Sequence, residues 1–468
     1  MVDHNTLVVP TSDHIDFSMR TTGGRRVEHE GTLGGLGAFG FRSKEDFLVD
    51  TADVWNPDKV RFWRESGVEL VLDRREGYFI FDTSGKRLID VHLNGGTYNL
   101  GHRNEELIRT LEWAMGSMDI GNHHFPAIAR TALAQDFLAT CHSGLTKLVY
   151  GTGGSEANDI AIKSARYATQ RRRIVSLEKA YHGGTGLSVA ATDDRFSRRF
   201  LSDNPDEFVQ VPHNDLNAME EVLSHGDVAA VLMETIPATY GFPMPMPGYL
   251  PEVKRLCEAH GTMFIADEVQ TGLMRTGDMW AIYRYGVQPD ILVSAKGIGG
   301  GIYPIACVAL SSECGGWLEE DGWGHVSTGG GSELGCVVAM KVLEITQRDS
   351  VRASVRAASE LFRDGLEWIR ATSPDWLVGV RQNGLVMGLE FDHPEGAKFV
   401  MRELYGKGVW AIFSTLNPSV LQFKPGLLLA PAQCDDIIDR LASAVVTAKD
   451  ALPRQNRNAA WGATRRDT

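Results

Sequence analysis

The chain has 468 residues, 43% of them apolar and 23% charged, with 60 Asp and Glu against 47 Lys and Arg for a formal net charge of −13. This composition implies a globular protein with enough chain to bury a full core, and it excludes disordered, collagen-like and membrane-spanning classes. The longest clean apolar stretch, Val228 to Met233, falls far short of the ~20 residues needed to cross a bilayer, and the polar start MVDHNTLVVPTSD lacks a signal peptide's basic region and apolar block. A cytoplasmic location without membrane partners is expected, and the acidic balance disfavours nucleic acid as a partner because like charges repel the phosphate backbone.

Glycine is abundant at 50 residues, and its clusters at 23–24, 34–37, 151–154, 299–301 and 329–331 imply many tight turns. The first fifty residues mix Gly-rich turns with charge and show little periodicity, which predicts an irregular arm. Residues 68–91 alternate better, with VELVLD and YFIFD bounded by turn residues, and predict a β-hairpin pair. From about residue 110 to 345, short apolar runs alternate with amphipathic segments: KLVY (147–150), RIVSL (173–177), FVQV (208–211), AAVLME (229–234), TMFIADE (262–268), ILVSA (291–295) and IACVAL (305–310). Nearly continuous apolar strands are covered on both faces, so the economical fold is α/β, a mostly parallel doubly wound sheet with helical crossovers such as Pro251 to His260. Beyond 345, a helical stretch from Val351 to Arg370, the run LVMGLEF, a helix near Ala397–Tyr405, VWAIF and VLQF predict a smaller α+β domain, and the polar tail from Arg454 reads as loose. The domain reading is an arm and hairpin segment over 1–110, a large domain over 111–345 and a small domain over 346–468.

The six cysteines are scattered without a C-x-x-C pair or a histidine at ligand spacing, so they read as buried reduced thiols rather than a zinc site or disulfide framework. Adjacent His123 and His124 suggest no metal site either, since sequence neighbours point in different directions on a helix or strand.

Ligands of such sheets sit at the carboxyl ends of the parallel strands, and three polar clusters stand there. After KLVY comes Gly151-Thr152-Gly153-Gly154-Ser155-Glu156-Ala157-Asn158, small residues running into a helix whose exposed N–H groups and positive dipole end suit a phosphate. The same residues also fit a plain N-cap at Ser155. Neither a Rossmann G-x-G-x-x-G nor a Walker lysine is present. After TMFIA comes Asp267, a carboxylate at a buried strand end that needs a positive partner or several donors. After ILVSA comes Lys296, which desolvation at a sheet edge can turn into a nucleophilic amine. A phosphate seat, a buried acid and a strand-end lysine are together the parts that hold pyridoxal 5′-phosphate.

From roughly residue 68 to 430 the chain resembles the class III (ω-type) aminotransferases of the fold-type I pyridoxal-phosphate family. The motifs that carry the resemblance are GSEAND with IKSAR, KAYHG (179–183), METIPA (233–238), IADEVQTGLMRTG (265–277), PDILVSAKGIGGGIYP (289–304) and STGGGSELGCVVAMKVLE (327–344). The resemblance implies that Lys296 is the Schiff-base lysine and Asp267 the partner of the ring nitrogen, with Gly153, Gly154 and Ser155 at the phosphate. It places Tyr181 and Val269 on the two ring faces, Gln270 near the phenolic oxygen and Glu234 near the substrate, while His182 has either a packing or a catalytic role. Thr328 resembles a threonine that reaches the phosphate from a neighbouring subunit, which implies a homodimer with shared active sites. The implied activity is ping-pong transfer from an amine donor to a carbonyl acceptor, with a pyridoxal-phosphate epimerase or lyase as the alternative. Many relatives clamp a substrate carboxylate with an arginine where this chain has Gln422, although Lys424 could compensate. VELVLDRREGYFIFD and HLNGGTYNLGHRN (92–104) also resemble the subgroup that aminates sugars in aminoglycoside-antibiotic biosynthesis.

Overall fold

The computed structural model describes residues 35–451. The loose tail expected from Arg454 and most of the expected arm lie outside the described residues. Within the arm, residues Lys44–Val54 are helical rather than irregular: Ser43 caps the first turn by accepting a hydrogen bond from the Asp46 N–H at 3.1 Å, and Glu45 and Asp46 favour the positive helix end. The chain divides into two units, whose described parts are residues 35–75 with 79–88 and residues 76–78 with 89–451.

The smaller unit holds that helix, a second from Pro57–Glu65 with Asn56 as N-cap, and the strand Phe79–Asp82. The hairpin is present, but its first strand begins at Leu72 instead of at Val68. Buried Asp82 orders the turn that follows by accepting the Ser84 N–H at 2.8 Å.

The larger unit is built on a seven-stranded sheet. Its spatial order is Leu145–Gly151, Ala306–Ser311, Ile291–Ser294, Met263–Asp267, Val228–Glu234, Arg173–Leu177 and Phe208–Val211. Six strands run parallel, and Ala306–Ser311 runs antiparallel to both neighbours. All seven positions of Val228–Glu234 are buried, as a strand covered on both faces requires. The helix Gly154–Thr169 packs over this sheet with Ala157, Ile160, Ala161 and Ala165 buried. Five cysteines are buried as expected, but Cys141 is only half-buried.

A second, antiparallel sheet follows in the order Leu377–Asn383, Val386–Phe391, Asn417–Phe423, Ile412–Ser414. Helix Asp349–Thr372 buries Val351, Val355, Phe362, Leu366 and Ile369, a stripe at helical spacing. The strand Leu377–Asn383 carried no clear signal in the sequence because it is mostly half-buried, whereas the closing helix Pro431–Asp450, not singled out above, has both an N1 proline and an apolar stripe at Cys434, Ile437, Ile438, Leu441 and Val445. Among the described residues no helix is long and apolar enough to cross a membrane.

The turn between the first two strands of this sheet is fixed against the segment that follows Asp267. Gly384 has φ +59°, a Cβ there would lie 2.5 Å from the Thr276 carbonyl carbon, and the Leu385 N–H donates to the Arg275 carbonyl at 2.9 Å. Gly384→Ala combines left-handed strain with a backbone clash, and we expect it to destabilise the protein by about 2 kcal/mol or more in a chemical denaturation curve.

Candidate active site

The register of the parallel strands aligns three chemistry-bearing segments. Glu234 lies opposite Asp267 and Asp267 opposite Val293, with Lys296 three residues further along that last strand's exit. A cavity of about 300 Å³ opens at this edge, lined by Asn94, Thr97, Gly154, Ser155, Asn158, Tyr181, His182, Gly183, Glu234, Asp267, Val269, Gln270 and Lys296. Of the residues singled out in the sequence, nine line it. Gly153 does not line it but precedes the helix that does, and Thr328 is exposed and does not line it.

Asp267 is buried, and its carboxylate is held on three sides. Oδ2 accepts from Asn158 Nδ2 at 2.9 Å and lies 2.9 Å from His182 Nδ1, and Oδ1 accepts from the Val269 N–H at 3.0 Å. A carboxylate has about four acceptor positions, so one remains for a donor within the cavity. His182 is itself fixed, its N–H donating to Thr192 Oγ1 at 3.0 Å, while the Asn158 amide also donates to the His182 carbonyl at 2.7 Å. Asn158 Oδ1 and His182 Nε2 are buried without a partner. The neighbouring acid Glu268 faces away and plays a structural part: it accepts from Thr235 and Thr271 hydroxyls at 2.6 and 2.7 Å and from the Ala281 and Ile282 N–H groups at 3.1 and 2.7 Å.

Glu234 accepts from the Tyr181 N–H at 3.0 Å and the Ala238 N–H at 3.0 Å. Burial pushes its carboxyl above the ordinary range, and the nearby Asp267 charge acts in the same direction. Tyr181 is held at the cavity mouth edge-on to Phe196, with ring centroids 5.4 Å apart.

Helix Gly154–Thr169 starts at Gly154, and its N-cap is Gly153, extended and without a capping side chain, so the plain N-cap expected at Ser155 is not formed. The first N–H groups have no partner within the helix. A Cβ on Gly153 would meet nothing within 4 Å, which leaves room for an anion in front of the helix. Ser155 Oγ accepts from the Gly184 N–H at 3.1 Å, which leaves its hydroxyl proton available. Gly183 closes this corner tightly: at φ +155° a Cβ would lie 2.6 Å from Ser155 Oγ.

Lys296 has φ +47°, an unusual conformation for a side chain of this size. Burial lowers its amine below the ordinary 10.5, while Asp267 and Glu234 pull the other way. Gly95, at φ +73°, keeps the adjacent space open: a Cβ there would lie 3.0 Å from Lys296 Cε and 3.6 Å from Gln270 Oε1. Asn94, Gly95, Asn158 and Gly183 belong to the site without having been assigned to it from the sequence. For Asn94, Gly95 and Gly183 the signal was paired glycines beside polar residues in HLNGGTY and YHGG, whereas Asn158 reads as an ordinary helix residue. His123 and His124 sit in a turn with ring centroids 4.1 Å apart, so the expectation that they diverge fails where the backbone is neither helix nor strand.

These features fit the cofactor read from the sequence: a helix start for an anion, a spare acceptor on a buried acid, and a desolvated amine on one cavity wall. Residues 63–445 match the family described as Aminotransferase class-III. An uncharacterised aminotransferase of Archaeoglobus fulgidus is 39% identical over 410 residues, 88% of this chain and 96% of the relative. An acetylornithine aminotransferase of Thermosynechococcus vestitus is 31% identical over 389 residues, 80% of this chain and 92% of the relative. The ornithine aminotransferase of Toxoplasma gondii superposes with a TM-score of 0.81 at 23% identity, over 88% of this chain and 97% of that one. The fold and site define a pyridoxal-phosphate enzyme of the fold-type I architecture. The chain belongs to the class III aminotransferases, and its cofactor is pyridoxal 5′-phosphate.

An amine attacks an aldehyde only when neutral, so the rate at which cofactor-free protein takes up pyridoxal 5′-phosphate should rise with pH and level off below 10.5, the ordinary lysine value. A stopped-flow absorbance series checks this, and a midpoint at or above 10.5 would contradict the lowered amine.

Proposed function

We propose that this aminotransferase moves an amino group from an amino-acid donor to a carbonyl acceptor in two half-reactions at the cavity beside Lys296, with an oxidised sugar of the kind used in aminoglycoside assembly as acceptor. The observation that carries the site assignment is the register that sets Glu234, Asp267 and the Lys296 segment at one sheet edge. Gly154, Ser155 and the helix start bind the phosphate. Tyr181 and Val269 would confine the ring, and Gln270 would supply it with a donor. Bound there, pyridoxal 5′-phosphate supplies an aldehyde that carries the amino group and a ring that withdraws charge from the substrate carbon.

Lys296 would anchor the group through its Nζ, and as a neutral amine that Nζ would take the proton from the donor's α-carbon and hand it to the cofactor's former aldehyde carbon, work worth about 10²–10⁴-fold. Asp267 keeps a proton on the ring nitrogen with its remaining acceptor position. His182 and Asn158 hold that carboxylate in place, which makes His182 a positioning residue. Glu234, whose carboxyl burial raises above its ordinary range, lines the cavity beside the substrate. Gln422 is buried and lies 2.6 Å from Lys424, so it offers no charge for clamping a carboxylate, in keeping with a polyhydroxy carbonyl acceptor.

The same reading includes a homodimer. Ile120, Phe125, Trp323 and Val326 are exposed apolar residues, and His124 stacks near Trp323 with centroids 5.1 Å apart. An apolar face of this kind is suited to cover by a second copy, and it lies two residues from Thr328, whose hydroxyl would then complete the partner's phosphate seat.

Asp267→Asn should bind cofactor but lower kcat by about 10²-fold or more, and unchanged kinetics would leave the acid a structural role. Mixing the yellow enzyme with amino acids and amino sugars, one at a time, should convert it to the colourless amino form with at least one of each. Conversion by amino acids alone would exclude the sugar. Phe125→Asp should shift the protein from dimer to monomer in analytical ultracentrifugation and weaken cofactor binding; a monomeric wild type would remove the shared site.

A further inference from the structure

Beside the cavity lies a second amine that the proposed reaction does not use. Lys424 is 1% exposed, yet among the described residues no carboxylate pairs with its Nζ. Its hydrogen-bond partners are two side-chain amides, Gln422 Oε1 at 2.6 Å and Gln270 Oε1 at 3.3 Å, and the ring of Phe242 lies 5.3 Å away. Backbone bonding fixes the lysine as well, its N–H donating to the Val91 carbonyl at 2.7 Å. A buried lysine of this kind is costly unless its hydrogens are used, so the two amides must turn their oxygens toward it.

We infer that Lys424 is a positioning residue that acts through Gln270: by holding the Gln270 oxygen, it leaves the Gln270 NH2 as that amide's fixed donor toward the cavity. This deepens the proposed function and depends on the cofactor occupying that cavity. Three observations converge on it. Gln270 lines the cavity and Lys424 does not, so the lysine reaches the reaction only through its neighbour. The gap that Gly95 keeps open is bounded by Lys296 Cε on one side and Gln270 Oε1 on the other, which puts the oxygen that Lys424 holds close to the Lys296 side chain. The same lysine also holds Gln422 by its oxygen, so one donor orders both amides.

The charges that face Lys424 are Lys296, Arg275, Asp90 and Glu234. Burial, with Lys296 and Arg275 acting in the same direction, holds its amine well below the ordinary lysine value. A neutral amine still has two hydrogens, enough for the two amide oxygens, so the orientation survives loss of the charge. Arg275 lies behind this cluster with its guanidinium on the Pro425 carbonyl and Asn99 Oδ1, which fixes the backbone next to Lys424.

The test uses the full chain and reads cofactor affinity by absorbance titration, together with kcat/KM. Lys424→Met removes both donors while filling the space, and it should weaken the affinity for pyridoxal 5′-phosphate and lower kcat/KM about tenfold each. Gln270→Ala should cost at least as much, and the double variant no more than Gln270→Ala alone, because the two residues act as one unit. Multiplying losses, or a Lys424→Met protein with wild-type affinity, would overturn the inference. Gln270→Glu is the second arm and serves if Lys424→Met does not fold. It keeps an oxygen for Lys424 but replaces the presented NH2, so thermal stability should hold while cofactor affinity falls about tenfold. Unchanged affinity there contradicts the inference as well. A wild-type protein that takes up no cofactor would instead overturn the proposed function, which keeps the two failures distinct.

Discussion

A carboxylate buried at the end of a central strand is the constraint around which the cavity is arranged. Asp267 has given up water on nearly all sides, and a charge in that position persists only where donors replace the lost hydration. Asn158, His182 and the Val269 N–H supply three, from a helix, a loop and the chain just after the strand. Each donor therefore fixes an element that also lines the cavity. The same bonds that replace the acid's lost hydration hold the start of the Gly154–Thr169 helix and the Tyr181–Gly183 loop in register with Lys296.

The sheet converts this local requirement into a site. Parallel strands whose ends align at Glu234, Asp267 and Val293 bring residues far apart in sequence to one cavity, and the antiparallel Ala306–Ser311 strand returns the chain beside Ile291–Ser294 in the same sheet. Acids and amines then act on one another through a medium that screens poorly. Burial raises Glu234 and lowers Lys296 and Lys424, so groups that would all be charged in water move toward neutrality, the state in which a proton can be exchanged. Lys424 and Gln270 extend the arrangement outward, ordering by hydrogen bonds what charge alone would leave free to rotate.

Most of the large sheet was legible because its strands are apolar runs of strand length set between amphipathic segments; FVQV and RIVSL match the observed strands residue for residue. Asp267, Lys296 and the glycine-rich helix start were legible because polar residues directly after such runs have few structural reasons to be there. Less of the rest could be read. Asn158 looks in sequence like an ordinary helix residue, and only the fold shows that its amide ties the His182 loop to the strand end at Asp267. Gly95 becomes informative only once its φ of +73° and its distance to Lys296 are known. Lys44–Val54 carries no buried face, so periodicity gave no sign of the helix that Ser43 caps. The division of labour between Asp267 and Glu268, adjacent and chemically alike, depends on which way each side chain leaves the strand.

The central claim is that one amine, that of Lys296, carries the cofactor. Borohydride reduction of the yellow protein, followed by proteolysis and mass spectrometry, tests it directly. The account predicts a single stable phosphopyridoxyl adduct, on the peptide containing Lys296. An adduct on Lys424 or on any other lysine, or none at all, would contradict it.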